Sequence, residues 1–145
     1  MLVRDLPTPA LLIEQSRLES NLARMQARAT DNGVHLRPHV KTHKSVELAR
    51  MQRNAGARGI TVAKPSEAEC FVNGGFADVR IAYPAVARHH LEHIAALIDR
   101  ARISFCVDTI EGARTASAFF ETRGLAAEIL VEVDCGYGRC GVQWD

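Results

Sequence analysis

The chain has 145 residues, a formal net charge of +1, 47% hydrophobic residues and 24% charged residues. These values are ordinary for a globular protein of about one domain, and they exclude a disordered or collagen-like chain. No apolar run reaches the roughly 18 residues that a membrane span needs, and the near-neutral charge argues against a broad nucleic-acid surface. We therefore expect neither a membrane nor a nucleic-acid partner.

The N-terminus and the cysteines favour a cytoplasmic protein. Residues 1–5 already contain two charges and are followed at once by prolines, which is unlike a secretory signal. The four cysteines lack CxxC spacing, and three of them lie in or beside apolar runs, which indicates reduced and mostly buried thiols. They are Cys70, Cys106, Cys135 and Cys140.

The hydrophobic pattern alternates strands and helices along the whole chain. An amphipathic helix begins near the N-terminus with a capping box at Ser16-x-x-Glu19, and a second box, Ser66-x-x-Glu69, follows Pro65. The predicted strands are residues 8–13, 34–41, 59–64, 78–83, 102–108 and 127–134, and the predicted helices are residues 16–33, 45–54, 65–74, 85–101 and 109–123.

Short connections between alternating strands and helices predict an α/β protein with a parallel sheet. Two architectures are compatible with this pattern, an open doubly wound sheet and a (β/α)8 barrel. A complete barrel needs about 250 residues. If the fold is a barrel, we expect residues 1–145 to form its N-terminal part, truncated after about five βα units and leaving unpaired strand edges.

The predicted strand 34–41 carries an unusual polar face. Because successive strand residues point to opposite faces, four nitrogen-bearing side chains lie on one face. The simplest explanation is an edge strand whose polar face is solvated, and Pro38 favours it because proline is typical of edge strands. The alternative is a catalytic lysine at the carboxyl end of a parallel strand, where α/β folds place their chemistry. Burial and neighbouring cations make a lysine amine nucleophilic, as Schiff-base lysines require. The face consists of His35, Arg37, His39 and Lys41, and Lys44 follows closely.

Residues 37–44 read Arg-Pro-His-Val-Lys-Thr-His-Lys. This run resembles the cofactor-lysine motif of D-threonine aldolases and eukaryotic-type D-serine dehydratases, which are pyridoxal-phosphate enzymes with an alanine-racemase-like barrel. The resemblance covers nearly the whole chain, because the sequences of the same family are also similar to this chain at segments 5–13, 60–69, 81–84 and 131–142.

The resemblance implies roles for individual residues. Lys41 is the residue expected to form a Schiff base with pyridoxal 5'-phosphate, and Arg139 is expected to lie near the phenolic oxygen of that cofactor. His39, His43 and Tyr83 also match the family and are expected to bind the cofactor, without individual roles.

The resemblance also implies a fold and an activity. Residues 1–145 would be a partial cofactor-binding barrel domain of the alanine racemase type, with the C-terminal half of the barrel and a β domain outside this chain. The full-length protein would be a homodimeric lyase acting on D-configured β-hydroxy amino acids. A divalent metal would be held by the β domain, so we expect no metal ligand in this chain and no activity of the chain alone. The alternatives are an amino-acid racemase on the same scaffold, a non-catalytic cofactor-binding protein and an inactive fragment.

Other patterns suggest competing interpretations. Residues 136–141 spell G-x-G-x-x-G after a predicted strand, as in dinucleotide-binding proteins, although that motif usually lies in the first βα unit. His89 and His93 share a helix face, where a solvated surface is the simpler explanation than a metal site. Lys64 ends a predicted strand and is the rival Schiff-base lysine.

Acidic residues share one face of the last predicted strand. Among them, Glu132 and Asp134 lie near its carboxyl end. If that face points into a barrel, these carboxylates would confront the cations of residues 34–41, since buried charges need partners. A plain exposed face is the alternative.

Overall fold

The structure is a computed structural model that describes residues 2–144, and within them it contains four strands and five α-helices. The strands are β1 (Ile60–Val62), β2 (Asp78–Pro84), β3 (Arg102–Val107) and β4 (Glu128–Val131). The helices are α1 (Gln15–Asp31), α2 (Val46–Asn54), α3 (Pro65–Asn73), α4 (Arg88–Ile98) and α5 (Ile110–Glu121). Short 3-10 helices cover Val3–Asp5 and Val40–Thr42. Across residues 2–144, every helix is too short or too polar to span a membrane.

The sheet runs in the order β1-β2-β3-β4, and each neighbouring pair of strands is parallel. A helix separates each strand from the next along the chain. A doubly wound sheet reverses its strand order at a switch point, whereas a barrel keeps its strands in sequence. The sequential order within residues 2–144 therefore confirms the predicted α/β fold as the N-terminal part of a barrel.

The two faces of the sheet differ in polarity because successive strand residues point to opposite sides. Val79 and Ile81 of β2 and Phe105 of β3 are 0% exposed and belong to the core. Leu91 of α4 lies in the same cluster, so the helices cover this apolar face. Arg80 is only half-buried on the opposite, inner face. Polar side chains therefore collect on the side that would face the interior of a barrel.

The prediction of a strand at residues 34–41 is wrong. Pro38 has no N–H to donate to a ladder, and its carbonyl accepts the N–H of Thr61 at 2.7 Å. His39 forms a single parallel bridge with Thr61, and the chain then turns into the 3-10 helix Val40–Thr42. The segment nevertheless follows the edge of β1, so its side chains still reach the sheet.

Residues 8–13 do not form the predicted strand. Leu11, Leu12 and Ile13 are 101%, 61% and 60% exposed, so their apolar side chains are not packed within residues 2–144. An apolar run reads as a strand in sequence, but a strand also requires a neighbouring strand to accept its hydrogen bonds.

Both predicted capping boxes are also wrong, because the N-cap of each helix lies two residues before the serine of the motif. Ser16 lies inside α1, whose N-cap is Glu14. Pro65 is the first residue of α3, so the acidic residue that reaches back is Glu67, which accepts the N–H of Ala63 at 2.8 Å.

The cysteines are free, but they are not mostly buried. Cys106 is buried and Cys140 is half-buried, whereas Cys70 and Cys135 are exposed. Proximity to an apolar run did not predict burial, because the face of the element decides which side chains it covers.

An ion pair closes the amino end of the sheet. Both terminal nitrogens of Arg37 donate to the carboxylate of Asp78 at 2.8 Å, and the two side chains are only 18% and 22% exposed. These hydrogen bonds from Arg37 hold the pKa of the Asp78 carboxyl below its ordinary value. Gly59 makes this geometry possible, since a Cβ there would overlap the Arg37 guanidinium.

We expect Asp78→Asn to lower the free energy of unfolding at pH 7 by about 1.5–3 kcal/mol, because charged hydrogen bonds at a half-buried site contribute on this scale. The native pKa of Asp78 is depressed, so this stabilisation is present at neutral pH and is lost as the pH falls below about 4 and through the native pKa. Urea unfolding at pH 7 and in acid measures both effects. The exposed Asp99→Asn is the control, and an equal loss in that variant would contradict the prediction.

Candidate functional site

A cleft of about 450 Å³ lies at the carboxyl ends of β1 and β2. The 3-10 helix, the ends of both strands and the loop after β4 all contribute to its wall. The lining residues are His39, Lys41, Ala63, Ala82, Tyr83, Pro84, Arg139 and Cys140. The structure thus brings together four of the predicted site residues, although about 100 positions of sequence separate Lys41 from Arg139.

Lys41 enters the cleft from the 3-10 helix that follows the extended segment. Its side chain is exposed, because β1 and β2 bound the cleft on one side only. Its backbone N–H donates to Nδ1 of His39 at 3.3 Å, which makes His39 the N-cap of that short helix. Partial burial and the charge of Lys41 lower the pKa of His39, so its imidazole is neutral at pH 7 with the proton on Nε2.

The other cations that sequence placed near Lys41 point elsewhere. Arg37 is bound to Asp78 at the amino end of the sheet. Lys44 lies 3.5 Å from a carboxylate oxygen of Glu67, which offsets its charge. Of the three residues that the sequence placed around Lys41, which are Arg37, His39 and Lys44, His39 alone lines the cleft.

Arg139 is carried by a loop that folds around one carboxylate. Asp134 accepts the backbone N–H groups of Gly136, Tyr137 and Gly138 at 2.9–3.1 Å. These hydrogen bonds lower the pKa of Asp134, because they favour its ionised form. The guanidinium of Arg139 lies 5.4 Å from the centre of the Tyr137 ring, which supports it on the loop.

The same loop returns to the end of β4 and is closed there. The N–H of Asp134 donates to the carbonyl of Val142 at 2.9 Å, and the N–H of Val142 donates to the carbonyl of Glu132 at 2.9 Å. Gly141 makes this return with a φ of +113°, and a Cβ at this position would lie 2.5 Å from the backbone nitrogen of Asp134. Only glycine fits this turn.

The loop geometry argues against the dinucleotide interpretation of residues 136–141. In that interpretation, backbone N–H groups at the glycines face a pyrophosphate. Here the carboxylate of Asp134 already occupies the N–H groups of Gly136 and Gly138. An anion would have to displace this carboxylate.

The expected contact between the last strand and the cations of residues 34–41 is not present in the described part of the chain. Asp134 turns toward its own loop, as described above. Glu132 accepts a hydrogen bond from the thiol of Cys140 at 3.0 Å. Alternation placed both carboxylates on one face, but the strand ends at Val131 and the turn redirects them.

The remaining candidates lie outside the cleft lining. The ring of His43 accepts the N–H of Ser45 at 3.1 Å and lies 3.3 Å from the side-chain oxygen of Gln52, so it faces α2. Lys64 is exposed at the N-cap of α3 and is not among the residues that line the cleft. Both His43 and Lys64 match sequence patterns, but neither lines the cleft with Lys41.

The helix histidines form no metal site in the described residues. The rings of His89 and His90 lie 4.0 Å apart, and His93 lies 3.4 Å from a carboxylate oxygen of Glu69. No group of three or more metal-binding side chains occurs in residues 2–144. His90 also packs edge-on against Tyr83 at 5.5 Å, and it thereby supports the wall of the cleft.

Sequence inspection missed Cys140 and the small residues of the wall. Ala63 directly follows β1 and Ala82 lies two residues before the end of β2, and small side chains at these positions leave space for a ligand. Cys140 directly follows Arg139, so its position in the same loop was a usable signal.

Comparisons with known proteins agree with this fold. The model of the alanine racemase N-terminal domain matches residues 13–145. The chain is 42% identical over 138 residues to D-threonine aldolase of Arthrobacter sp., covering 95% of this chain and 36% of that protein. It is 43% identical over 141 residues to D-threo-3-hydroxyaspartate dehydratase of Delftia sp. (strain HT23), covering 97% of this chain and 37% of that protein.

A solved structure gives the same result. The crystal structure of D-threonine aldolase from Filomicrobium marinum matches with a TM-score of 0.93 and 40% identity, covering 97% of this chain and 38% of that chain. The present chain therefore spans little more than a third of the length of the relatives it matches.

We expect Gly141→Ala to open the Arg139 loop, since overlaps of this kind cost about 1–3 kcal/mol. Hydrogen exchange of the amides of Gly136 and Gly138, which Asp134 protects, should become at least about tenfold faster. Gly124→Ala is the matched control, because Gly124 also has a positive φ, +63°, but nothing lies within 4 Å of a Cβ there. Unchanged exchange in Gly141→Ala would show that the turn tolerates a side chain.

Proposed function

The chain belongs to the alanine racemase N-terminal domain family, and from this membership we propose that it is the cofactor-binding part of a longer pyridoxal-phosphate lyase acting on D-configured β-hydroxy amino acids. The observation that carries the proposal is the convergence of Lys41 and Arg139 in one cleft at the carboxyl edge of a parallel sheet. Parallel α/β folds place their chemistry at this edge.

The donor set of the cleft fits pyridoxal phosphate. Lys41 presents an amine that can condense with an aldehyde, and Arg139 presents guanidinium N–H donors that suit a phenolic oxygen. Ala63 and Ala82 leave room between these groups for a flat ring, and Tyr83 adds an aromatic wall that is 44% exposed. Pyridoxal phosphate, when bound, supplies an electron sink for cleavage of a bond at the Cα of an amino acid.

The residues of this chain would bind the cofactor and orient it. Lys41 would hold the cofactor, and His39 would fix the start of the 3-10 helix from which the lysine side chain leaves, through its hydrogen bond to the Lys41 N–H. Arg139 would compensate negative charge on the ligand from the opposite side of the cleft. Tyr83, which packs against His90, would bound the space for the cofactor ring on the side of the strands. We propose no cofactor contact for His43, whose ring is engaged with α2.

The proposed substrate class follows from two relatives. One is a D-threonine aldolase and the other is a D-threo-3-hydroxyaspartate dehydratase, so their names share a D-configured amino acid with a β-hydroxyl group. An aldolase breaks the Cα–Cβ bond, and a dehydratase removes water across it. Following the resemblance, we also propose that the longer protein is cytoplasmic, forms a homodimer and holds a divalent metal through residues beyond this chain.

Replacing the two candidate lysines tests the site. In the full-length protein, Lys41→Ala should abolish the visible absorbance band that bound pyridoxal phosphate gives, because the covalent partner of the aldehyde is lost. Lys64→Ala should retain the band, since Lys64 lies outside the cleft. The opposite outcome would assign the cofactor to Lys64 and refute the proposed site.

Product analysis tests the reaction. We expect the full-length protein to convert D-threonine to glycine and an aldehyde if it is an aldolase, and D-serine to a keto acid if it is a dehydratase. The L-enantiomers are the controls and should give no product. Conversion between D- and L-enantiomers without cleavage would identify a racemase, and a bound cofactor without any turnover would identify a non-catalytic carrier.

A further inference from the structure

We propose that Glu132 is a positioning residue for Arg139 and that it acts through the thiol of Cys140. This inference rests on the proposed function, because it assigns the contact a purpose only if Arg139 faces a cofactor. It adds to the site a carboxylate that neither the cofactor-lysine motif at residues 37–44 nor the cleft lining contains.

The backbone holds Glu132 from both sides. Its N–H donates to the carbonyl of Val107 at the end of β3, and its carbonyl accepts the N–H of Val142, both at 2.9 Å. The residue therefore extends the pairing of the sheet and also receives the returning end of the Arg139 loop.

The side chain of Glu132 connects to Arg139 in two steps. The thiol of Cys140 donates to Oε1 of Glu132 at 3.0 Å. Arg139 directly precedes Cys140 in the chain, and both residues line the cleft. A carboxylate, a thiol and a guanidinium thus follow one another from the end of β4 to the cleft.

The second carboxylate oxygen of Glu132 indicates that this arrangement is not a routine structural contact. Oε2 is buried and has no hydrogen-bond partner in residues 2–144. Burying such an oxygen without a partner is unfavourable. The carboxylate lies beside Cys140, where it would attract the guanidinium of Arg139 and limit the positions that the guanidinium can take.

The experiment uses the full-length protein with pyridoxal phosphate and follows the visible absorbance band without substrate. Glu132→Gln keeps the size of the side chain but removes its charge. We expect it to weaken cofactor binding about tenfold, equivalent to 1.4 kcal/mol, and to move the pH midpoint of the band downward by roughly 0.5–1 unit. The midpoint moves because positive charge near the cofactor is no longer offset, which a purely structural role would not produce.

Two further variants separate the steps. Cys140→Ala removes the link but keeps the carboxylate of Glu132, so it should weaken cofactor binding as Glu132→Gln does without moving the pH midpoint of the band. Cys140→Ser keeps a donor and should restore most of the wild-type affinity. Glu128→Gln is the matched control, because Glu128 begins β4, the strand that Glu132 directly follows, but pairs with Arg102 at 2.8 Å at the amino end of the sheet.

The outcomes distinguish the two proposals. If the wild-type protein shows the band but Glu132→Gln leaves its affinity and pH midpoint unchanged, or if Glu128→Gln has an equal effect, the positioning role is refuted and the proposed function stands. If the wild-type protein shows no band, both proposals fail.

Discussion

The parallel alignment of the strands is the constraint on which the site depends. Because every strand of the sheet runs in the same direction, all the carboxyl ends meet at one edge. Lys41 follows the segment beside β1, and Arg139 follows β4, so both arrive at that edge although they are distant in sequence. An antiparallel neighbour would have sent one of them to the opposite end.

The charged side chains are arranged differently at the two ends of the sheet. At the amino end, Arg37 is bound to Asp78 and Arg102 to Glu128, so four charges form two pairs. At the carboxyl end, Lys41 and Arg139 form no ion pair within residues 2–144, although both line the same cleft. Paired charges close one end, whereas the cationic side chains of Lys41 and Arg139 at the other end favour an anionic ligand.

The loop after β4 shows how a few local contacts position a distant arginine. Asp134 gathers three backbone N–H groups, and Gly141 provides a turn that a side chain would block. The pairing of Glu132 with Val142 then closes the loop on the sheet. Arg139 needs no contact with Lys41, since the sheet and the closed loop together determine how far apart they lie.

The sequence by itself determined the alternation of strands and helices and the α/β class, and it singled out Lys41 as the candidate lysine, because hydrophobic periodicity and a short motif are local properties. Only the tertiary structure decided that residues 34–41 are not a strand, that Arg37 and Lys44 point away from Lys41, and that His43 faces α2 while Cys140 lines the cleft. The contacts of these side chains are determined by neighbouring elements across the sheet. A pattern along one segment cannot specify them, since the same alternation is compatible with several turns at the end of a strand.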